Sequence, residues 1–447
     1  MQIIQPSKDG NIEAVTAQYV LDHLEALKKN SVPVFRGLKT AGGLIKSQRI
    51  DPELAQRVAP GDRGQKLFLL DRAWKRTLFA ATDTFDKNLE PLLQKSAEER
   101  AQAVASLKGV LASLKSEASD SGKKAKVIMD SVKDVFLLNK ASLKSKASEV
   151  TKNERSLAKD TESIVGAAME MAEEPELVEG LFASFRSLSN GQTVNHVLRV
   201  FATYSGFIRH YNVRHQNRLV GDLRRVFPKL YRDQYQAMLP HLKPHLISSD
   251  NLLQLPFFEE YHLKEFALGA FLHDIGKMGN LDYFESDSAY DAAQVRQHVF
   301  LSAGLILMNY GTDHELARLL AGDHHSAMNH PDGYGVTRFE REKGLQPPME
   351  AEKALSSSAE TYLRGRALGY LPVEMLAVAD VYDAMTDSSR SYKKAASPAE
   401  AVVFLEESMA SVHKLDPFLV DLYIDYLRTN GVDVPDDRGF QFKFKRT

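Results

Sequence analysis

The stretch whose reading decides the fold is FALGAFLHDIGKMG, residues 266–279. Its first seven residues are all apolar or small, which suits a helix buried on every side rather than along one stripe. That helix runs into His273 and Asp274, with Lys277 shortly after. Successive helical side chains diverge by about 100°, so His273 and Asp274 can flank one point or bridge two ions. Lys277, four residues after His273, places a cation on the same helical side. A lone pair of this kind is more often a satisfied core pair than a ligand set. Its company elsewhere in the chain has to decide.

Of the 14 histidines, 12 lie between His196 and His330, and that concentration directs the search. His196 stands in TVNHVLRVFATY (193–204), where Val197, Val200 and Phe201 fill the apolar positions of an amphipathic helix. His298, in VRQHVFLSAGLILM (295–308), again opens an apolar helix. His324 and His325 stand side by side in GDHHSAMNHPDGYGV (322–336), and Asp380 interrupts the nearly continuous apolar run MLAVADVYDAM (375–385). A buried aspartate without a partner is costly, so a metal or strong donor is expected beside it. Five such sites point to one shared metal centre. The chain has no cysteine, so its ligands must be imidazole and carboxylate, a set that suits Fe, Mn or Zn. His210, His215, His241, His245 and His262 read as structural or surface residues, and His330 is not counted as a ligand.

The order His…His-Asp-x-x-Lys…His…His-His…Asp-x-Tyr-Asp-Ala resembles the HD-GYP family, a branch of the HD-domain phosphohydrolases. The resemblance spans roughly residues 190 to 415 and rests on HDIGK (273–277), VADVYDAMT (378–386) and RSYKKAASPAEAV (390–402). It implies an all-helical HD-domain bundle and hydrolysis of the bacterial second messenger cyclic di-GMP. Carried over residue by residue, it makes His196, His273, Asp274, His298, His324, His325 and Asp380 the metal ligands, with Asp274 bridging two ions. Fe or Mn is expected, with Zn as a further option. Asp274 and Lys277 become the catalytic pair, Lys277 stabilising phosphate or assisting protonation. Lys277, Arg390 and Lys393 become the phosphate contacts. In such a centre, with ions roughly 3.5–4 Å apart, an activated water attacks phosphorus in line with the departing 3′ oxygen.

Two departures from the family pattern stand out. After the paired histidines the family carries Glu and then Asp-Gly-x-Gly-Tyr-Pro. This chain has Ser326, a longer spacer, and Asp332-Gly333-Tyr334-Gly335 followed by Val336-Thr337. The surviving glycines suit positive φ, so the turn is expected to form without its signature side chains, which touches both substrate and partner contacts. One helical turn before His196 stands Gln192, where members with three metals carry a glutamate. A neutral amide is a poor ligand for such cations, which favours two ions.

The remaining sequence divides by composition. Residues 1–75 read as a small mixed α/β domain: VPVFRGL and GLIKS form a hairpin about Gly42-Gly43, DPELAQRV forms a helix opened by Asp51 and Pro52, and KLFLL forms a further strand. Residues 76–185 are rich in Ala, Lys, Ser and Glu. Val104, Leu107, Leu111, Leu114 and Ala118 follow a short heptad seam there, with Ile128, Val132 and Val135 on a second helix after SDSG. This is either a helical hairpin packed on itself or a stalk that pairs two copies of the chain. Residues 186–447 form the HD-GYP-like domain. Within it, LRRVFPKLYRDQYQAMLPHL reads as an amphipathic packing helix rather than a nucleotide surface, and 338–370 as a polar loop and helix able to cover the site.

With 57 Lys+Arg against 59 Asp+Glu, the chain has no general basic footprint for a DNA or RNA duplex. No apolar run reaches the ~20 residues of a membrane span, and the N-terminus lacks the build of a signal peptide. The expectation is therefore a mainly α, cytoplasmic homodimer that binds a cyclic dinucleotide and partner proteins in signalling. Two further possibilities stay open: a catalytically weak receptor for a cyclic dinucleotide, and a phosphohydrolase for another nucleotide.

Overall fold

The computed structural model describes residues 12–16, 34–39, 45–50, 67–71, scattered helical positions between 102 and 165, and then 193–279, 296–310, 313–387 and 395–447. Near the N-terminus four strands, β1 Ile12–Thr16, β2 Val34–Lys39, β3 Ile45–Ile50 and β4 Leu67–Asp71, pair antiparallel in the order β1-β4-β2-β3. The hairpin expected at VPVFRGL and GLIKS is β2–β3, paired from Val34↔Ile50 to Lys39↔Ile45, and KLFLL supplies β4. Strand β1 was not anticipated. The helix expected at 51–58 and the seam through Val104, Leu107, Leu111, Leu114 and Ala118 lie outside the described residues, as do Ile128 and Val132. Val135 is helical and buried.

From residue 193 the chain is mainly helical. It runs α1 Thr193–Gln216, α2 Leu219–Leu230, α3 Arg232–Met238, α4 Ser249–Leu252, α5 Glu260–Leu272, α6 His298–Tyr310, α7 Glu315–Asp323 and α8 Val336–Glu342. It continues β5 Lys353–Ser356, α9 Ala359–Leu363, β6 Ala367–Tyr370, α10 Leu371–Thr386, α11 Pro398–Phe404, α12 Pro417–Thr429 and α13 Phe440–Arg446. Helices α1, α5, α6, α7 and α10 pack on one another and build the core that carries the site. The burial pattern shows why. In α1, Val197, Val200, Phe201, Tyr204, Phe207, Ile208 and Tyr211 are all buried, which is a single stripe at helical period. In α5 every residue from Glu265 to Leu272 is buried, and α10 is buried from Leu371 to Asp380. Pro372, in the first turn of α10, fixes the entry without costing an internal hydrogen bond.

Two expectations change on contact with the structure, and a third is met. The all-helical domain contains a two-stranded parallel sheet, β5 with β6, paired from Lys353↔Ala367 to Ser356↔Tyr370. Part of the segment 338–370 accordingly belongs to the core rather than to a polar loop: Ala354, Leu355, Ala367 and Tyr370 are buried, and Leu355 bridges to Leu253. Apolar side chains on such short strands gain more from the core than from solvent. Finally, the 212–260 insertion packs as the amphipathic reading requires. Leu219, Leu223, Val226 and Phe227 of α2 are buried with Tyr231 and Tyr235, and Phe227 stacks on Tyr235 with ring centroids 5.3 Å apart.

Candidate metal centre

The site is built where several helices end. Helix α5 stops at Leu272, so His273 and Asp274 lie at its C-terminal end rather than within it, and Ile275–Gly279 continue as a 3-10 turn. The spacing expected for an α-helix therefore gives way to three residues per turn. Lys277 consequently pairs with Asp274, its Nζ 2.5 Å from Oδ2, rather than with His273. Gly276 sets this geometry. A Cβ there would collide with the His298 carbonyl oxygen, and the Gly276 N–H donates to Ser302 Oγ at 2.9 Å. The turn is thus pressed against α6 where His298 begins. Helix α7 ends in the same way at Asp323, leaving His324 at its cap and His325 beyond it. His196 in the first turn of α1 and Asp380 within α10 sit as expected.

All seven sequence-selected ligands converge around Asp274, and the two oxygens of its carboxylate face different histidines. Oδ2 lies 3.4 Å from His196 Nε2 and 3.6 Å from His273 Nε2. Oδ1 lies 3.3 Å from His298 Nε2 and 3.7 Å from His324 Nε2. His298 Nε2 and His324 Nε2 are 3.2 Å apart. Asp380 closes the ring, Oδ1 at 3.0 Å from His196 Nε2 and Oδ2 at 3.8 Å from His325 Nδ1. Two donors that each bind one ion at ~2.1 Å sit about 3–3.5 Å apart, which is where most of these separations fall.

Protonation and orientation favour free lone pairs. His273 Nδ1–H donates to Ala270 O at 2.7 Å and His324 Nδ1–H to Ala321 O at 3.0 Å, which turns each Nε2 lone pair toward Asp274. Burial lowers the pKa of His273, takes His324 well below its ordinary value and brings His325 down to about 3. All three are neutral, as ligands must be. For Asp274, burial alone would raise the pKa, but the Lys277 ammonium and the surrounding histidines hold it well below the usual range; His196 and its neighbours do the same for Asp380. His196 is the exception among the rings. Burial opposes its charge, yet Asp274, Asp380 and Asp383 together push it up to about 10. The site demands positive charge, and without a metal this ring supplies it.

The fit to metal rests on buried atoms without donors or acceptors. Among the described residues, His273 Nε2 and Asp274 Oδ1 make no hydrogen bond although both are buried. Such orphans are costly, and here they point into one space. Two groups meet the requirements of a cation site: His196, His273 and Asp274, and His298, His324 and His325.

Two residues that the sequence reading left out complete the shell. Asp383 Oδ2 lies 2.7 Å from His196 Nδ1, and Arg199 donates to Asp383 through Nε at 2.6 Å and through its terminal nitrogen at 3.0 Å. Both stand three residues from a selected ligand, the spacing that puts two side chains on one helical face. Arg390, Lys393 and Gln192 lie outside the described residues.

The altered turn is fully built. Its glycines are needed for a reason other than the one expected. Gly335 is extended at φ 174°, and neither it nor Gly333 lies in the left-handed region. Instead, a Cβ on Gly333 would collide with Ser326 O, and one on Gly335 would lie 2.5 Å from Asp323 Oδ1. Left-handed backbone falls on Ala327, Met328 and Asn329, at φ 50°, 50° and 58°. Thr337 donates its N–H at 2.9 Å and its hydroxyl at 2.5 Å to buried Asp323. Tyr334 lays its ring against His325, centroids 4.8 Å apart, with the Arg296 guanidinium 5.4 Å from the Tyr334 ring.

No helix among the described residues is long and apolar enough to cross a membrane. Compared with known proteins, the chain matches no family model, no curated protein and no solved structure.

Proposed function

We propose that this chain is a metal-dependent phosphodiesterase of the HD-GYP type, hydrolysing cyclic di-GMP or a related cyclic dinucleotide. One observation carries the reading: a single buried carboxylate, Asp274, turns each of its oxygens to a different set of histidine nitrogens. That is what a bridging ligand between two ions needs. His196, His273 and Asp380 would hold one ion with Asp274, and His298, His324 and His325 the other. When bound, a metal pair supplies the Lewis acidity that activates water at neutral pH and offsets the charge of a phosphodiester.

The chain's own residues do the rest. Lys277, 2.5 Å from Asp274 Oδ2 and partly exposed, keeps the carboxylate ionised and offers a cation or a proton to a phosphate oxygen. The carbonyls of Ala270 and Ala321 keep His273 and His324 in the ligating tautomer. Arg390 and Lys393 belong to the proposal as phosphate contacts, a planar fork of donors and a point charge respectively. Dimerisation through 76–185 and contacts with signalling proteins belong to it as well.

The test is to purify the full chain without chelator, load it separately with Mn and Fe, quantify bound metal, add cyclic di-GMP and follow products by chromatography. Linear dinucleotide or GMP, formed at about two ions per chain, is the expected result. Bound metal with no turnover but tight binding of intact nucleotide would make the protein a receptor. Turnover of another nucleotide in preference would reassign the substrate, and a chain that takes up no metal would overturn the centre itself.

A further inference from the structure

We infer that Asp383 is a positioning residue for the metal centre: its carboxylate, held by Arg199, fixes His196 with Nε2 aimed at Asp274 and Asp380 and sets how tightly that half of the centre binds a divalent cation. The inference rests on the metal-centre reading and goes beyond its ligand set.

The argument begins with what each helix end can offer a histidine. His273 and His324 follow the ends of α5 and α7, and their Nδ1–H groups reach carbonyls three residues back, Ala270 O and Ala321 O. Those carbonyls belong to last helical turns, where backbone acceptors have no intrahelical donor. His196 is different. It stands in the first turn of α1, where the orphan backbone groups are N–H donors, so its own helix offers no spare acceptor. The acceptor comes from α10 instead, as Asp383 Oδ2 at 2.7 Å from Nδ1. A charged acceptor makes a stronger bond than a carbonyl and leaves the far nitrogen a better ligand.

Spacing makes the arrangement a clamp. Asp380 and Asp383 are three residues apart on α10 and share a side, so one helix presents both a carboxylate 3.0 Å from His196 Nε2 and the carboxylate that orients the ring from behind. His196 and Arg199 repeat the spacing on α1. Arg199 forks onto Asp383 and also reaches Asp387 Oδ2 at 2.8 Å. His196, Asp383 and Asp387 are all buried, which protects the bonds from competition by water. The half of the centre around His298, His324 and His325 has no part in this clamp. The effect is therefore local to one ion.

The competing account makes Asp383 merely the buried partner of Arg199. Full-length Asp383→Asn and Arg199→Gln separate the two. Asp383→Asn keeps an acceptor for His196 and loses the charge; Arg199→Gln removes the ion pair and leaves Asp383 on His196. Cobalt(II) is the probe, titrated against a chelator, with its absorption spectrum recorded and thermal midpoints measured in parallel. Asp383→Asn is expected to weaken one of two cobalt sites by roughly 10- to 100-fold and to change the spectrum of that site alone. Arg199→Gln is expected to lose less affinity despite a lower midpoint, and Asp383→Ala to lose more than Asp383→Asn. Parental affinity at both sites in a folded Asp383→Asn would overturn the inference, as would equal losses in Asp383→Asn and Arg199→Gln. A parent that binds no cobalt would overturn the proposed function and this inference together. A parent that binds two ions beside an unaffected Asp383→Asn would overturn this inference alone.

Discussion

Two groups of buried carboxylates in this molecule solve the same problem in opposite ways. Around α12, each acid is answered by protein donors. Asp416 accepts from Tyr235 Oη at 2.7 Å and from Leu419 N at 3.0 Å. Asp421 accepts from Tyr231 Oη at 2.7 Å and Lys443 Nζ at 2.6 Å. Asp425 accepts from Gln441 N at 2.8 Å and from Arg428 at 3.1 Å. Burial dominates there, pushing Asp416 up to about 6, Asp421 to about 7 and Asp425 to about 6. Around Asp274 the balance is reversed: Lys277 and the neighbouring histidines hold Asp274 well below the ordinary range, His196 does the same for Asp380, and His273 Nε2 and Asp274 Oδ1 still lack a hydrogen-bond partner among the described residues. A cluster that exists to hold the fold together satisfies itself. The one left incomplete at the same depth could hold a metal ion.

The largest effect should come from removing the bridge. Asp274→Ala takes away the carboxylate that faces two histidines of each group, so neither site would keep its ligand number. Bound metal is expected to fall from two ions per chain to one or none, and turnover by about 10³-fold or more. The metal-free thermal midpoint at neutral pH should fall, because the Lys277 ammonium and the charged His196 ring lose the carboxylate that answers them. Elemental analysis and circular dichroism check both halves. A variant that retained both ions would erase the contrast between the two clusters.

Glu374 stands between the extremes and gives the next effect. Its Oε1 accepts from Ser326 Oγ at 3.1 Å and Met328 N at 3.4 Å, while Oε2 has no partner among the described residues. Burial pushes its pKa from 4.5 up to about 8. The folded chain then keeps a proton that the unfolded chain has lost. Stability from this group is full below about pH 4.5 and declines as pH rises toward about 8. Glu374→Gln should remove that decline, gaining on the order of a few kcal/mol over the parent between pH 5 and pH 8. Urea unfolding at both pH values reads the difference, in which Asp416, Asp421 and Asp425 cancel. Parallel losses in parent and variant would mean that Glu374 is already ionised in the folded chain.

Tyr235→Phe tests the closed cluster. It removes the O–H donor from Asp416 and leaves that oxygen buried without it, at a cost of about 1–3 kcal/mol by urea unfolding. Metal content should not move. A loss of metal would show that the two clusters are coupled and that the contrast between them is too sharp.

The histidine–aspartate cluster was legible in the sequence to the extent that it uses few residue types. Histidine and aspartate interrupting apolar helices are expensive, so their positions show through, and all seven selected ligands do meet. What was missed is what looks ordinary one residue at a time. Asp383 and Arg199 are a carboxylate and a guanidinium on helices, like many others. Asp383 falls inside the quoted VADVYDAMT but was given no role there, and Arg199 is marked only by its spacing of three from His196. Strands β5 and β6, at four residues each, are too short for a period of two to emerge. The glycines of the altered turn were assigned the wrong physical need, because sequence does not reveal that Gly333 and Gly335 lie against Ser326 and Asp323. Helix ends mattered most. The 3-10 turn after Leu272 moved Lys277 from His273 to Asp274, and composition alone does not foretell where α becomes 3-10.

The smallest expected effect concerns the basic residues of the 212–260 insertion, which could otherwise be read as a nucleotide surface. Arg224 donates to Asp250 Oδ1 at 2.6 Å, with both side chains more than half exposed, at 60% and 55%. An exposed pair of this kind contributes roughly 0–1 kcal/mol and is screened by salt. The apolar face of the same helix, by contrast, is spent on the core through Leu219, Leu223, Val226 and Phe227. Arg224→Ala should therefore leave metal content and nucleotide affinity unchanged and lower stability by less than about 1 kcal/mol, the change vanishing at high salt. A salt-dependent loss of cyclic di-GMP affinity in a stable variant would instead put the insertion at the substrate, and the contrast would then lie between two faces of α2 rather than between two buried clusters.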